Sequence, residues 1–159
     1  ESTRVPFVIL PPGNSELRKK VAGQKSSKPV ELIDLYPTLT EMCSLPAKTS
    51  NEGRSLVPLM ESPSMEWRVS ALTTYARKNH SLRTERYRYI RYENGAEELY
   101  DHQFDPEEWD NLAGDPEQAE LIFRFRLELP RRNAKYHAAT KKGPINLWFQ
   151  SHLKANGIE

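Results

Sequence analysis

The chain has little of what usually places a protein in a class at once. It contains one cysteine among 159 residues, so it cannot form an internal disulfide. Lysine and arginine total 23 against 22 acidic residues, and a net charge of +1 gives no general attraction to nucleic acid or to an anionic membrane. No apolar run approaches the roughly 20 residues that cross a bilayer. These absences exclude disulfide-stapled, polybasic and membrane-spanning classes.

Glycine is scarce as well, with 7 residues against 12 prolines. The apolar fraction of 37% is below the usual value of about 45–50%. This composition indicates long connecting segments, or a core that another segment completes. Because the chain begins at Glu1 and enters an apolar run almost immediately, we expect it to be a fragment of a longer protein.

The first apolar run covers Val5–Leu10 and ends at Pro11-Pro12-Gly13. Continuous apolarity is typical of a strand buried on both faces of a parallel sheet. No second run of this kind follows, so we expect its neighbouring strands to precede the chain. Residues 13–29 are polar and basic, and we interpret them as a surface loop.

A helix is predicted over Leu35–Ser44, where apolar residues recur at helical spacing. Asp34 is the expected N-cap. Pro37 then falls in the first turn, where its missing N–H has no intrahelical partner. The apolar face should cover the sheet that holds the first run, and we expect the Cys43 thiol to be buried on that face. One short turn is expected in residues 53–60.

An antiparallel meander is predicted from three segments with strand composition, residues 70–76, 80–92 and 97–101. The Asn94-Gly95 pair between the last two is a strong signal for a type I′ hairpin turn. Apolar alternation slips near Tyr89-Ile90, which favours a bulge there or apolar cover on both faces.

Two helix starts follow in the acidic part of the chain. Asp105-Pro106 and Asp115-Pro116 each place Asp at an N-cap and Pro at the first helical position. The first predicts a short turn that carries Trp109, and the second predicts a helix over residues 116–129. The expected core-facing residues of that helix are Ala119, Ile122, Phe123 and Phe125.

The densest polar cluster lies at the turn between the first two strands, where Arg77, Lys78, Asn79 and His80 are consecutive and Arg83 follows. Cationic, amide and imidazole groups at one loop suit an anionic ligand such as a sulfate, phosphate or carboxylate. The alternative interpretation is a polar hairpin loop in water.

Arginines and tyrosines alternate over residues 86–92, a pattern that can stack nucleic-acid bases. An acidic return strand is expected beside them, so cross-strand ion pairs are the simpler interpretation. A second basic region, residues 131–142, is interpreted as a solvated tail rather than a polyanion-binding patch. Three histidines lack metal-ligand spacing and are expected at the surface: His102, His137 and His152.

Four segments, in this order, resemble the C-terminal part of sulfatases, which belong to the alkaline-phosphatase-like superfamily. They are STRVPFVILPPG, VELIDLYPTL, GRSLVPLM and RTERYRYIRYENGAEELYDHQFDPEEWDNLA. The resemblance covers residues 1–130, and the last segment is the most specific. The nearest group is the one similar to iduronate-2-sulfatase and choline sulfatase.

The resemblance implies an α+β chain. Its first part would be the end of a large α/β sulfatase domain, with one buried strand and a covering helix. A small C-terminal domain would follow, with an antiparallel sheet of about four strands packed on a helix. The expected boundaries are residues 1–60, 61–130 and, for the basic C-terminal tail, 131–159.

The resemblance also implies a hydrolase of sulfate esters, which uses a calcium ion and a formylglycine made from the cysteine of a C-x-P-x-R motif. Cys43 lies in CSLPA, with Leu45 and Ala47 where the motif has proline and arginine, so it is not that cysteine. The calcium ligands and the groups around the sulfate precede this chain in the family. We therefore expect no catalytic residue here, and neither cofactor bound by this chain.

The role that remains is to complete the structure and to supply one wall of the substrate pocket, with Arg77, Asn79, His80 and Arg83 near the non-sulfate part of a sulfated sugar. The expected partner is the N-terminal sulfatase domain, on the same protein or a companion chain, and neither nucleic acid nor membrane. Family members are often exported, to the periplasm or outside the cell, or lysosomal. The alternatives are a phosphate or phosphonate ester hydrolase of the same superfamily and a non-catalytic polyanion- or sugar-binding module.

Overall fold

The computed structural model describes residues 5–134, so residues 135–142 of the second basic region, His137 and His152 lie outside the described residues. The chain divides into two compact units, the first ending at Ala71 and the second beginning at Leu72. Sequence patterns placed the corresponding boundary at residue 60.

The first unit contains three short helices. They are α1 (Glu16–Val21), α2 (Leu35–Met42) and α3 (Val57–Glu61), and a 3₁₀ turn over Leu32–Asp34 leads directly into α2. The predictions of a helix at 35–44 and of a short turn within 53–60 are confirmed, although α2 ends two residues earlier than expected.

The loop predicted for residues 13–29 is wrong in its first half, where α1 forms. The Ser15 hydroxyl accepts a hydrogen bond from the Arg18 N–H at 3.2 Å, which satisfies one of the unpaired donors of the first turn. Glu16 in the first turn and three basic residues in the last turn complement the helix dipole. The polar composition hid this helix because only Val21 of its residues is buried.

Val5–Leu10 does not form the predicted strand. Residues 5–10 have no regular secondary structure, and the Val8 side chain is 89% exposed. A strand requires hydrogen-bonded neighbours, and none of the described residues pairs with this segment. The prediction that Cys43 is buried is also wrong, since its side chain is exposed.

Asp34 is the N-cap residue of α2, as predicted, but its side chain joins two of the four sequence segments instead of capping the helix. Its buried carboxylate accepts the N–H of Glu31 at 2.9 Å and that of Arg54 at 2.8 Å, and it makes no side-chain cap to α2. The Thr38 hydroxyl accepts the Leu56 N–H at 2.9 Å. Segments VELIDLYPTL and GRSLVPLM are therefore one packed feature.

Gly53 permits the closest approach in this feature. A Cβ at this position would lie 2.2 Å from the carbonyl oxygen of Ile33. That is far inside van der Waals contact, and the neighbour is backbone that cannot swing away. Glycine is therefore required by packing, not by an unusual backbone angle.

The second unit contains a four-stranded antiparallel sheet in the order β1-β2-β3-β4. The strands are β1 (Ala71–Tyr75), β2 (Asn79–Arg83), β3 (Tyr87–Arg91) and β4 (Glu97–Asp101). The α+β class and the sheet of four strands are thus confirmed. The register of β3 against β4 runs unbroken from Tyr87↔Asp101 to Arg91↔Glu97, so the sheet has no bulge at Tyr89-Ile90.

The single strand predicted over 80–92 is two strands joined by a tight turn. The N–H of Thr84 donates to the Tyr87 carbonyl at 2.9 Å, and the N–H of Tyr87 donates to the Thr84 hydroxyl at 2.8 Å. Composition did not reveal the turn because it contains neither Gly nor Pro. The threonine hydroxyl supplies the hydrogen bond that closes it.

The β3–β4 hairpin differs from the predicted type I′ turn. Gly95 has φ of +91°, whereas Asn94 is not among the residues with positive φ. The Gly95 N–H donates to the Tyr92 carbonyl at 3.0 Å, and the Tyr92 N–H donates to the Ala96 carbonyl at 2.9 Å. This is a three-residue loop with glycine in the left-handed position.

Helix α4 (Ala119–Glu128) covers the core of the sheet. The Asp115 carboxylate accepts the Glu117 N–H at the start of a 3₁₀ turn over Pro116–Gln118, which confirms the predicted N-cap. The other acidic site forms a turn and no helix, in which Asp105 accepts the Asp110 N–H at 2.9 Å.

The core of the second unit joins three strands to α4. Its buried residues are Leu82, Tyr89, Leu99, Ile122 and Phe125. The rings of Tyr89 and Phe125 stack with centroids 5.5 Å apart. The predicted core positions Ile122 and Phe125 are confirmed, but those of Ala119 and Phe123 are wrong, since both are exposed.

Candidate functional site

The β1–β2 loop, residues 76–78, is held in an uncommon backbone conformation. Ala76 and Lys78 have φ of 54° and 62°, values that cost side chains other than glycine some strain. The amide of Asn79 fixes the loop, since its Nδ2 donates to the Arg77 carbonyl at 3.1 Å and its Oδ1 accepts the Glu93 N–H at 3.1 Å. An ion pair of 3.0 Å between Arg77 and Glu93 adds a second tie to the β3–β4 turn.

His80 is buried next to this loop and both of its ring nitrogens are engaged. Nδ1 lies 2.9 Å from the Thr74 hydroxyl, and Nε2 lies 2.9 Å from Oδ1 of Asn133. Asn133 Nδ2 in turn donates to the Pro130 carbonyl at 3.5 Å, so Asn133 is tied to both His80 and Pro130. His80 thereby anchors the segment that follows α4.

Three of the four residues predicted from sequence lie together. Arg77, Asn79 and His80 are at the β1–β2 loop end of the sheet, whereas Arg83 pairs with Arg88 at the other end of β2. Arg83 is three positions along the strand from His80, a distance of about 10 Å. Asn79 and His80 are buried within the unit, so their contacts position the loop.

A cleft of about 320 Å³ opens beside the loop. Lys78 lines it from the loop and His80 from β2. Arg91 lines it from the end of β3, and Arg126 and Arg131 from the last turn of α4 and beyond. From the sequence, Lys78 was placed in the polar cluster of residues 77–80 that suits an anionic ligand, whereas Arg131 was interpreted as part of a solvated basic tail. The sequence did not show that the chain returns to the β1–β2 loop after α4. The His80–Asn133 hydrogen bond holds this returning segment in place.

Ion pairs to the return strand occupy two of the three arginines of residues 86–92, as predicted, rather than leaving them free to stack bases. Arg86 pairs with Asp101 at 2.6 Å and Arg91 with Glu97 at 3.6 Å. The hydrogen bond from Arg86 holds the pKa of Asp101 below its usual value. In the same way, Arg126 lowers the pKa of Glu97.

The third arginine is paired outside the sheet. Arg88 contacts Glu108 at 2.7 Å, and Glu108 also contacts His102 at 2.6 Å. Burial alone would raise the pKa of Glu108, but the hydrogen bonds from these two partners outweigh burial and the pKa is lowered. His102 is half-buried in this network, so its prediction as a surface residue is wrong.

The buried tyrosine of β3 takes part in the same charge network. The Tyr89 hydroxyl donates to Glu97 at 2.6 Å. Burial, followed by this contact with a carboxylate, raises the pKa of Tyr89 to about 12. Glu97 therefore links the aromatic core to Arg91 and Arg126 at the edge of the cleft.

The described residues contain no group suited to a metal ion, and the sequence around Cys43 does not match a formylglycine precursor. Within residues 5–134, no three His, Cys, Asp or Glu side chains are grouped closely enough to hold a metal. Cys43 lies at the end of α2 in a CSLPA context. In the same range no helix has both the length and the apolarity needed to span a membrane.

A match to a known protein family identifies the family of this chain. The model of the C-terminal region of N-sulphoglucosamine sulphohydrolase matches residues 1–135. The chain belongs to this family. The matched range contains residues of both compact units and all four segments quoted above. It therefore confirms the resemblance to the C-terminal part of sulfatases.

Curated relatives agree with the sulphohydrolase family. A sulfatase of Formosa agariphila is 40% identical over 131 residues, which are 82% of this chain and 25% of the relative. A delta 4,5-hexuronate-2-O-sulfatase of Bacteroides thetaiotaomicron is 32% identical over 138 residues, 79% of this chain and 27% of the relative. The chain therefore spans about a quarter of the length of these relatives.

A solved structure gives the same picture. A protein in complex with its substrate, D-glucosamine-2-N,6-O-disulfate, is 25% identical and has a TM-score of 0.51, with 60% of this chain and 22% of that chain covered.

Proposed function

We propose that this chain is the C-terminal part of a sulfuric ester hydrolase that removes sulfate from sulfated sugars. The observation that carries the proposal is the family match over residues 1–135 together with relatives that are named sulfatases. The chain would not be catalytic alone, because its described residues include no metal-binding group and Cys43 has no C-x-P-x-R context.

The partner in this proposal is an N-terminal catalytic part, on the same polypeptide or a companion chain. Support comes from the apolar face of the 3₁₀ turn and α2, where four side chains are about half exposed or more within the first unit: Leu32, Ile33, Tyr36 and Leu39. A contiguous exposed apolar face of this kind marks an interaction surface. The sheet of the catalytic part would cover it, as the helix pattern led us to expect.

The role proposed for the second unit is one wall of the substrate pocket. Arg77, Asn79, His80 and Arg83 remain the residues assigned to it. The buried contacts of Asn79 and His80 support a positioning part for these two residues. Arg77 is the more accessible group and is suited to an anionic or hydroxyl-rich substrate.

The cofactors of the proposed reaction belong to the catalytic part. A calcium ion and a formylglycine would supply the electrophilic and nucleophilic chemistry there, and no residue described here is assigned to either. The proposed location is outside the cytoplasm or in the lysosome, as is common in sulfatases.

The test is a comparison of substrate classes with the natural protein that carries this chain. We expect release of sulfate from sulfated glucosamine and uronate disaccharides, with kcat/KM well above that for an aryl phosphonate monoester. A higher kcat/KM for the phosphonate would favour the phosphonate hydrolase instead. Binding of the disaccharide without turnover of any ester would favour a binding module.

A further inference from the structure

The cleft of the second unit has an excess of positive charge. Among its described lining residues, the cations Lys78, Arg91, Arg126 and Arg131 face one carboxylate, that of Glu93. An excess of cations in a concave site attracts an anion more strongly than the same charges on a flat surface, since the low-dielectric walls focus the field.

Two of these cations have no counter-charge of their own among the residues that the structure describes. Glu93 pairs with Arg77 at 3.0 Å, and Glu97 is shared by Arg126 and Arg91. Within residues 5–134, neither Lys78 nor Arg131 forms an ion pair. Both charges are therefore available to a ligand in the cleft.

Lys78 and Arg131 lie on segments whose backbone is already fixed. The loop that carries Lys78 is tied by Asn79 to Arg77 and Glu93. The segment that carries Arg131 is tied by Asn133 to His80 and Pro130. Binding of a ligand to both cations therefore requires little further ordering of the backbone, and this preorganisation favours binding.

The remainder of the lining is partly apolar. Tyr92, Leu129 and Pro130 share the cleft with the cations. The volume of about 320 Å³ is at the lower end of the range of about 300–1,000 Å³ for small-ligand pockets. Apolar surface beside cations suits a sugar ring that carries an anionic group, better than it suits a fully hydrated free ion.

We propose that this cleft binds a sulfate or carboxylate substituent of an oligosaccharide, with Lys78 and Arg131 as the pairing cations. The identity of the ligand as an anionic sugar rests on the proposed function, whereas the site rests on the cleft and its charges. Tetrahedral sulfate and planar carboxylate share the oxyanion chemistry that Lys and Arg recognise.

Calorimetric titration of the natural protein that carries this chain tests the proposal. The probes are a heparin-derived disaccharide with N-, 2-O- and 6-O-sulfates, the same disaccharide without sulfates, and inorganic sulfate. The variant is Lys78→Ala/Arg131→Ala. The matched control is Lys48→Ala/Arg124→Ala, which removes an exposed lysine and an exposed arginine outside the cleft lining.

We expect Kd for the sulfated disaccharide to rise about tenfold or more in the cleft variant, since each lost contact is a charge-assisted hydrogen bond. The control variant should bind as the wild type does. Equal Kd values in wild type and cleft variant, or equal losses in both variants, would overturn the proposal. Inorganic sulfate that binds as tightly as the disaccharide would also overturn it.

Melting temperatures and sulfate release separate a loss of binding from a loss of folding or of the proposed activity. Melting temperatures of the cleft variant and the wild type should agree, because neither substituted side chain is buried or ion-paired within the described residues; if they differ, Arg131→Ala alone is titrated. Sulfate release by the wild type is measured separately. Its absence would count against the proposed function, while the binding comparison would still decide the cleft.

Discussion

Many polar side chains of the second unit form ion pairs or hydrogen bonds with one another. Some of these contacts could be predicted from the local sequence and others could not. Pairing of the arginines with the acidic return strand was predicted from alternation, and the register places Arg91 opposite Glu97. Asp101 lies opposite Tyr87 and pairs with Arg86, one residue before β3. The His80–Asn133 contact spans 53 positions. Its existence depends on where α4 ends and how the chain returns, which no local pattern contains.

The candidate site shows the same limit. Arg77, Asn79 and His80 were found because cations, an amide and an imidazole occur together in four residues. Arg83 was grouped with them by proximity in sequence, but a strand carries it to the other end of the sheet. Arg126 and Arg131 enter the cleft from α4 and beyond, so their contribution needed the tertiary structure.

The paired carboxylates predict how stability depends on pH. Arg86 holds the pKa of Asp101 below its unfolded value of about 3.9. Its contribution is therefore complete above that value and is lost as pH falls through the folded pKa. We expect the melting temperature of the chain to fall steeply from about pH 4 downward, and Asp101→Asn to lower it at pH 7 but to make it less sensitive to acid.

Thermal unfolding between neutral and acidic pH measures this effect. Asp110→Asn is the control, since Asp110 has an exposed side chain with no ion pair among the described residues. If the two variants show the same pH profile, the Arg86–Asp101 pair does not contribute as described.

At the scale of elements, strongly patterned segments were predicted well and context-dependent segments were not. Helices α2 and α4 and strand β4 followed from periodicity and from Asp-Pro starts. The split of 80–92 depended on one threonine hydroxyl. The strand predicted at Val5–Leu10 was wrong for a different reason. A strand forms only when neighbouring strands supply hydrogen bonds, and the composition of the segment alone does not provide them.

Helix α4 provides a matched test of which face meets the sheet. Phe125 is 3% exposed and stacks on Tyr89, whereas Phe123, two residues earlier, is 56% exposed. Phe125→Ala should lower the free energy of unfolding by about 3–5 kcal/mol. Phe123→Ala should change it by no more than about 0.5 kcal/mol.

Denaturant unfolding of the 159-residue chain, followed by near-ultraviolet circular dichroism, reports both variants. Comparable losses from the two substitutions would mean that the described face of α4 is not the one that packs on the sheet in solution.

At the scale of the whole molecule, the sequence indicated incompleteness before any fold was known. A low apolar fraction and an unpartnered apolar run both pointed to a core that another segment completes. The exposed apolar residues of the 3₁₀ turn and α2 point the same way. The relatives are also about four times as long as the region that this chain matches. In the proposed enzyme the nucleophile and the metal ligands lie in the catalytic part, so composition and periodicity here carry no signal for which ester is cleaved.

The most direct test of the central claim separates the parts of the enzyme. Sulfate release from a sulfated glucosamine disaccharide is measured for the natural protein, for this chain alone, for the preceding catalytic part alone, and for the two parts mixed. We expect turnover by the natural protein, none by this chain alone, and a higher rate from the mixture than from the catalytic part alone. Sulfate release by this chain alone, or a catalytic part that reaches the full rate without it, would show that the two parts do not work together as proposed.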